Sequence, residues 1–450
     1  MSLTVQNLID RFGNDAVLVD GAPSLVAPKA VLRPRTTADV SAMLVMCHAG
    51  RQAVVPWGGL TGLVGGATCR PDDVALSLQL MNGIEEIDVL GQSMTVKAGT
   101  PLAVVQQMAE AQGLFFPLDL GARGSATIGG NIATNAGGNR VVRYGMMRDL
   151  VLGLEAVLAD GRIVSSMTAL LKNNTGLDLK HLFVGTEGTL GIVTRAVLRL
   201  WPKADRTEAA FIACPSVDAM VQTMRRLSGA LSGRLTSFEG MWPEFYRLVT
   251  KPGRAAAPLP DGHACYALVE AGFGNSDPPQ LEELLGAILA DGLVDDAVIA
   301  QSESQRASFW NVRDGVHYLY KDGVDRHNDV SVPISSIRAY VSDVHANLAA
   351  RAPQCPHYTF GHIGDGNVHF SIGGVRDEVT GKLIDSCIYE PLLNYRGSVS
   401  AEHGIGLEKL GKLGLSRSPD EIAVMTIVKN ALDPECILNP GKILQFNRQN

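Results

Sequence analysis

Over the first 200 residues, short apolar runs alternate with glycine-rich turns and a few helical stretches. The runs AVVPWG (53–58), MTVKAG (94–99) and LVLGLEAVLADGRIV (150–164) have the length and apolar, β-branched content of strands. Residues 101–111 read as a helix opening at Thr100, with Pro101 at the first helical position. After Trp201-Pro202-Lys203 the glycine-rich character stops. From Arg206 the order becomes strand, long helix (217–231), strand (HACYALVEA, 263–271) and helix (280–291), which predicts a second domain with helices covering one face of a sheet. A further helix (337–349) precedes the β-rich stretch YTFGHIGDGNVHFSI, and a helical pattern at 421–432 runs into LNPGKIL. The expected organisation is α+β, with a first domain over 1–204, a second over 205–417 and a C-terminal segment 418–450 returning to the first.

Composition narrows the function classes. A chain of 450 residues with 46% hydrophobic and 19% charged residues suits two globular domains. The formal net charge of −7, with no basic run interleaved with aromatics, argues against nucleic acid as a partner. No apolar run is long enough for a membrane span, because the charge-poor stretch 52–69 is broken by Pro56 and its glycines. Residues 1–15 lack the pattern of a signal peptide, and Leu3, Leu8, Ile9 and Phe12 predict a short amphipathic helix; a cytoplasmic location is the expectation. Seven cysteines at 47, 69, 214, 265, 355, 387 and 436 form no Cys-x-x-Cys pair and read as buried thiols.

The chemistry concentrates in two places. Asp365-Gly366, flanked by β-formers, predicts a hairpin with a two-residue loop. Counting outward, Ile363 opposes Val368 and His362 opposes His369, with both imidazoles on one face. Two histidines plus the carboxylate of Glu402 in SAEHGIG make a ligand set for Zn²⁺, with Mn²⁺ or Fe²⁺ open to the same donors. The alternative is that these histidines satisfy hydrogen bonds in a core. The second concentration is three glycine-dense segments, 56–67, 121–139 and 185–194. Their glycines either build turns and close packing or let backbone amides cradle the diphosphate of a dinucleotide. No GxGxxG occurs, so a Rossmann site is not supported.

These loops, with FGHIGDGNVHF and SAEHGIGLEK, closely resemble the FAD-linked oxidases of the vanillyl-alcohol oxidase family, in the D-2-hydroxyacid dehydrogenase branch. The resemblance implies a PCMH-type FAD-binding domain of two α+β subdomains and a cap domain whose antiparallel sheet carries helices. Carried over by position, it implies that Pro56, Trp57, Gly58, Gly59, Leu60, Thr61 and Gly62 approach the diphosphate. Leu120, Gly121, Gly124, Ser125, Gly129, Gly130, Asn131, Thr134, Asn135, Ala136, Gly137 and Gly138 match flavin and diphosphate contacts. Glu187, Gly188, Gly191 and Ile192 match adenine and ribose contacts, and Asn439 and Lys442 a return of the C-terminus to the flavin. Leu60 stands where histidyl-linked relatives carry histidine, so the flavin is expected to be non-covalent.

The same resemblance implies metal ligation by His362, His369 and Glu402, His403 as catalytic base, and Arg313 as the substrate-carboxylate contact. His317, His327 and Ser371 occupy substrate positions where D-2-hydroxyglutarate dehydrogenases carry threonine, lysine and asparagine. Arg326 is either a compensating cation or a solvated surface charge. The implied substrate is a D-2-hydroxy acid, D-2-hydroxyglutarate or D-malate, with D-lactate oxidation, a metal-independent oxidase or a glycolate-oxidase-like subunit of a larger complex as alternatives. Electron-transfer flavoprotein or a quinone-linked carrier is the implied acceptor, and a homodimer is the one assembly considered.

Overall fold

Two sheets form the core of the first 200 residues in the computed structural model, which describes residues 3–19, 27–277 and 280–445. The predicted strand at 53–58 is Val54–Trp57, and it joins a four-stranded sheet in the order Val17–Leu18, Ala30–Leu32, Val74–Ser77, Val54–Trp57. Val74–Ser77 pairs parallel with both Ala30–Leu32 and Val54–Trp57, and Val17–Leu18 pairs antiparallel with Ala30–Leu32. The other sheet is antiparallel and five-stranded: Ile84–Asp88, Ser93–Lys97, Ile192–Arg199, Val151–Val157, Ile163–Ser166. The run 150–164 thus folds as a hairpin about Asp160-Gly161, with Gly161 at φ +87°. Two sheets match the two α+β subdomains expected.

The helix expected to open at Thr100 runs over Leu102–Glu110, with Pro101 as its N-cap. Thr100 is one residue too early because its hydroxyl is taken: it accepts from the Gly83 N–H at 2.9 Å and donates to the Lys97 carbonyl at 2.7 Å. The helix's first N–H groups are satisfied instead by the second glycine-rich segment, Leu102 N donating to Ala126 O and Ala103 N to Arg123 O.

Leu114–Phe115 and Trp201–Pro202 pair as a small antiparallel two-stranded sheet, and the remaining strands form one seven-stranded sheet in the order Asp296–Ile299, Arg206–Cys214, Cys265–Phe273, Leu235–Met241, His357–His362, Asn367–Gly373, Val324–Ser331. Every adjacent pair is antiparallel. Helices cover both faces of this sheet, not one. Phe211, Tyr266, Met241 and Phe360 project to one face, where they pack with Phe245, Phe309, Val312 and Leu319 from the helices Pro243–Val249, Glu303–Arg313 and His317–Lys321. On the other face Gly240 lies against Met220, Thr359 bonds His345 at 2.8 Å and Phe370 meets Tyr340, which brings in the helices Val217–Ala230 and Ile337–Arg351. The reason is legible in the strand Cys265–Phe273, where every residue is buried. Only a sheet covered on both sides buries a strand completely.

The chain packs as two units. One comprises residues 1–137, 145–203 and 402–450, and the other 138–144 and 204–401. Residues 402–417, placed with the second domain in the sequence, thus group with the first. All seven cysteines are buried. Among the described residues no helix is long and apolar enough to cross a membrane.

Candidate active site

The hairpin forms with a register two residues away from the one counted out of the sequence. Phe360, not His362, is the Cα partner of His369, and residues 363–366 make a four-residue turn with Gly366 at φ +85°. Outer neighbours decide this. His362 pairs with Glu239 on the strand Leu235–Met241, Ile363 N donates to Phe238 O, and Gly366 O accepts from Val332 N, so the two arms diverge before a two-residue turn can close. A slip of two residues leaves the faces of a strand unchanged. His362 and His369 therefore still share a face, with ring centroids 5.3 Å apart and nearly perpendicular.

Glu402 completes the set. It follows Ala401, whose N–H donates to Asp329 at 2.8 Å, and Asp329 is the cross-strand partner of His369. The ligand atoms of His362, His369 and Glu402 lie within 4.8 Å of one another. Two imidazoles and one carboxylate at that spacing fit a divalent cation with positions left for water or substrate. Asn367, on the same face two residues before His369, is 3% exposed, and neither its amide oxygen nor its amide nitrogen has a hydrogen-bond partner among the described residues. A buried amide with both atoms unsatisfied suits a place where a bound molecule belongs.

Sequence reasoning missed Glu239. It is 1% exposed, 2.7 and 2.8 Å from His362 Nδ1 through its two oxygens, and 2.7 Å from Arg313 Nε. Burial pushes its carboxyl up, but the charges and hydrogen bonds of His362 and Arg313 outweigh that and hold it below the usual carboxylate range. Ionised, it accepts from Nδ1 of His362 and leaves Nε2 for a metal. The signal in the sequence was weak, because Glu239 is a single acidic residue in a buried strand 123 positions from its partner. Nearby, Asp365 is pushed up to about 6, first by burial and against the opposing pull of His362.

The other expected substrate residues separate into groups. Arg313 ends the helix Glu303–Arg313 and reaches His362 through Glu239, while its guanidinium lies over the Phe360 ring at 4.9 Å. His327 and Ser371 are cross-strand partners and bond each other, Nδ1 to Oγ at 2.9 Å. The Tyr320 ring stands 4.6 Å from His327. His317, on the same short helix as Tyr320, is exposed and touches Asp314 O and Tyr318. Arg326 projects from the face opposite His327 and is ion-paired with Asp385. His403, beside Glu402, is partly buried.

The glycine-rich segments divide by what their glycines touch. A Cβ on Gly59 would lie 2.0 Å from Ser125 O, on Gly129 2.8 Å from Ala98, on Gly188 2.8 Å from Pro56, and on Gly191 2.8 Å from Phe183. Gly58 is similarly close to Thr127, and Gly130 less so. At Gly62, Gly121 and Gly124 a Cβ would meet none of the described residues within 4 Å. Some of these glycines therefore serve loop-on-loop packing and others border open space. Residues 60–63 and 121–125 are exposed. Leu60, Asn135, Glu187 and Asn439 all hold positive φ, a strain that collects at ligand clamps.

Several side chains expected at the flavin act as staples. Trp57 donates to Ala67 O across the first segment, Asn135 accepts from Arg148 N, and Thr134 donates to Gly130 O. Lys442 donates to Thr68 O, with its amine lowered by burial. Glu187 accepts from the backbone N–H groups of Ile405 and Gly406, so its carboxylate holds the segment that follows His403. Burial raises its pKa against those bonds. Asn439 donates to Gly66 O and Glu187 O, joining the first and third segments. Asn131 Nδ2 and Asn439 Oδ1 are buried without a hydrogen-bond partner among the described residues, and with the open glycines they suit a polar ligand laid along the loops. Ile192 opens the strand Ile192–Arg199.

Comparison with known proteins finds matches for both parts of the chain. Residues 28–166 match the FAD binding domain model and residues 203–443 the model of the FAD linked oxidases, C-terminal domain. The chain is 40% identical over 421 residues to mitochondrial D-2-hydroxyglutarate dehydrogenase of Bos taurus, covering 92% of this chain and 77% of that one. It is 38% identical over 429 residues to D-2-hydroxyglutarate dehydrogenase of Xanthomonas citri pv. viticola, with 93% and 89% covered. A putative mitochondrial D-lactate dehydrogenase of Schizosaccharomyces pombe shares 37% over 470 residues, with 97% and 89% covered. Among solved structures, p-cresol methylhydroxylase superposes with a TM-score of 0.77 at 14% identity, covering 98% of this chain and 96% of that one, a likeness of fold. The chain belongs to the FAD-linked oxidases, in their D-2-hydroxyacid dehydrogenase branch.

Proposed function

We propose that this chain oxidises a D-2-hydroxy acid to the 2-keto acid, using non-covalent FAD and one divalent ion, Zn²⁺ first among the candidates. The observation that carries the metal part is the grouping of His362, His369 and Glu402 within 4.8 Å. When bound, FAD supplies the two-electron acceptor for the substrate Cα–H, and the ion supplies Lewis-acid charge beside the substrate oxygens. His362, His369 and Glu402 hold the ion, and the rigid strands under the histidines keep their spacing. Arg313 offers the substrate carboxylate its Nη donors, since its Nε is committed to Glu239. His403 takes the hydroxyl proton, a role suited to an imidazole near neutral pH. Leu60 has no atom able to form a covalent link to flavin. The electron acceptor in this reading is an electron-transfer flavoprotein or a quinone-linked carrier.

The relatives' names favour D-2-hydroxyglutarate, and D-malate shares its two carboxylates. D-Lactate is the second reading, favoured by one observation: His327 is bonded to Ser371 while Arg326 is turned to Asp385 on the other face, which leaves little fixed positive charge there for a distal carboxylate. Anaerobic bleaching of the flavin near 450 nm against a panel of D- and L-2-hydroxy acids tests substrate class directly, without an acceptor. Repeating it after chelation should show bleaching lost and then restored by Zn²⁺, Mn²⁺ or Co²⁺, with His369→Ala behaving as the chelated protein while keeping its flavin. Full bleaching by metal-free protein would remove the ion from the mechanism, and a silent panel would remove the substrate class.

A further inference from the structure

We propose that Glu239 is a positioning residue that locks the metal ligand His362 and the carboxylate-binding Arg313 into one unit. The inference rests on the metal and substrate reading above. Glu239 lies mid-strand in Leu235–Met241, directly across from His362, and its carboxylate touches two side chains from different elements: His362 at the end of His357–His362 and Arg313 at the end of Glu303–Arg313. A carboxylate at Nδ1 fixes the imidazole's tautomer and ring orientation and raises its basicity as a ligand. The same carboxylate holds the Nε edge of Arg313, so the angle at which the guanidinium presents its other donors is set by the group that aims the histidine. Loss of Glu239 would leave Arg313 as a buried cation without its counter-charge.

The sheet contains its own control. Glu270, on the neighbouring strand Cys265–Phe273 and the same face, is 2% exposed and accepts from Arg306 Nη1 and Trp310 Nε1, both at 2.7 Å. Arg306, Trp310 and Arg313 lie four and three residues apart, on one side of the same helix. Both glutamates therefore anchor that helix to the sheet through a buried carboxylate, but only Glu239 also holds a histidine of the metal group. If Glu239 served packing alone, the two would respond alike to substitution.

The test compares Glu239→Gln with Glu270→Gln in the flavin-loaded protein. Zinc affinity is read by chelator competition, and KM and kcat are read with the best 2-hydroxy acid. For Glu239→Gln we expect zinc affinity weakened ~10–100-fold, KM raised through Arg313, and flavin content unchanged; Glu239→Asp should recover part of the affinity. Glu270→Gln should lower thermal stability with zinc affinity and KM as in the wild type. If Glu239→Gln holds no flavin or unfolds, Glu239→Asp carries the comparison. Wild-type protein that binds zinc, together with a Glu239 variant that binds it equally, overturns the inference and leaves the metal reading standing. Wild-type protein without zinc affinity overturns the metal reading and the inference with it.

Discussion

The glycine-rich segments of the first unit and the hairpin of the second build their candidate sites from different material. In the first unit the backbone is exposed to the ligand space, and the side chains mostly tie one loop to another: Trp57 to Ala67, Lys442 to Thr68, Asn439 to Gly66 and Glu187. In the second unit the backbone is spent on a seven-stranded ladder and the candidate site is made of side chains, with His362, His369, Glu239 and Asp329 at fixed heights on one face. A dinucleotide is long and needs many amide contacts, which glycine permits. A metal ion needs few donors held to within tenths of an ångström, which paired strands supply. The two regions should therefore fail in different ways.

The largest effect is expected where a side chain is added to the first unit. Gly59→Ala places a Cβ 2.0 Å from the Ser125 carbonyl oxygen, against backbone that cannot swing aside, so expression should yield little flavin-loaded protein and a lowered Tm. In Gly62→Ala none of the described residues comes within 4 Å of the new Cβ, so Tm of the flavin-free protein should stay unchanged while flavin affinity falls. Equal flavin affinity in Gly62→Ala and wild type would show that the open space at Gly62 is not ligand space, and would make this loop a packing device.

Acid stability probes the second unit on the face away from the ligands. His345 bonds Thr359 and is lowered to about 4 by burial, with His357 adding to the effect. Below pH 6.5 the unfolded chain takes up a proton that the native state refuses until about pH 4, so native stability falls through that window by roughly 3 kcal/mol. His345→Gln should flatten the drop in urea-unfolding midpoint between pH 6.5 and 4 without altering zinc affinity. An unaltered drop would assign the acid sensitivity to other groups, and altered zinc affinity would show that the two faces of the sheet are not independent.

The smallest effect sharpens the second unit alone. His327→Lys adds fixed charge beside Ser371, and the ratio of kcat/KM for D-2-hydroxyglutarate over D-lactate should rise about fivefold, on the order of 1 kcal/mol for a partly exposed charge pair. A constant ratio would place His327 outside the substrate pocket.

Much of this was legible along the chain, and the failures share a cause. Helices at 217–231, 280–291 and 337–349 appear as Val217–Ala230, Leu281–Ala290 and Ile337–Arg351, because amphipathic period is a local property. The hairpin and the shared face of its histidines were also readable, since alternation survives a slip of two residues. The register was not, because Leu235–Met241 and Val324–Ser331 hold the two arms from outside. Thr100 failed as a cap for the same kind of reason, its hydroxyl being claimed by Gly83 and Lys97.

By itself the sequence determined the element types, the non-Rossmann glycine loops, the candidate ligands His362, His369 and Glu402, and the FAD-linked family, all of which rest on short windows of residues. Only the tertiary structure decided which glycines pack and which border open space, that Arg326 faces Asp385, that Glu187 holds the segment after His403, and that Glu239 stands behind His362 and Arg313. Those facts depend on which distant segments become neighbours. Strand pairing and burial settle that over separations such as the 123 residues between Glu239 and His362, where no local pattern carries the information.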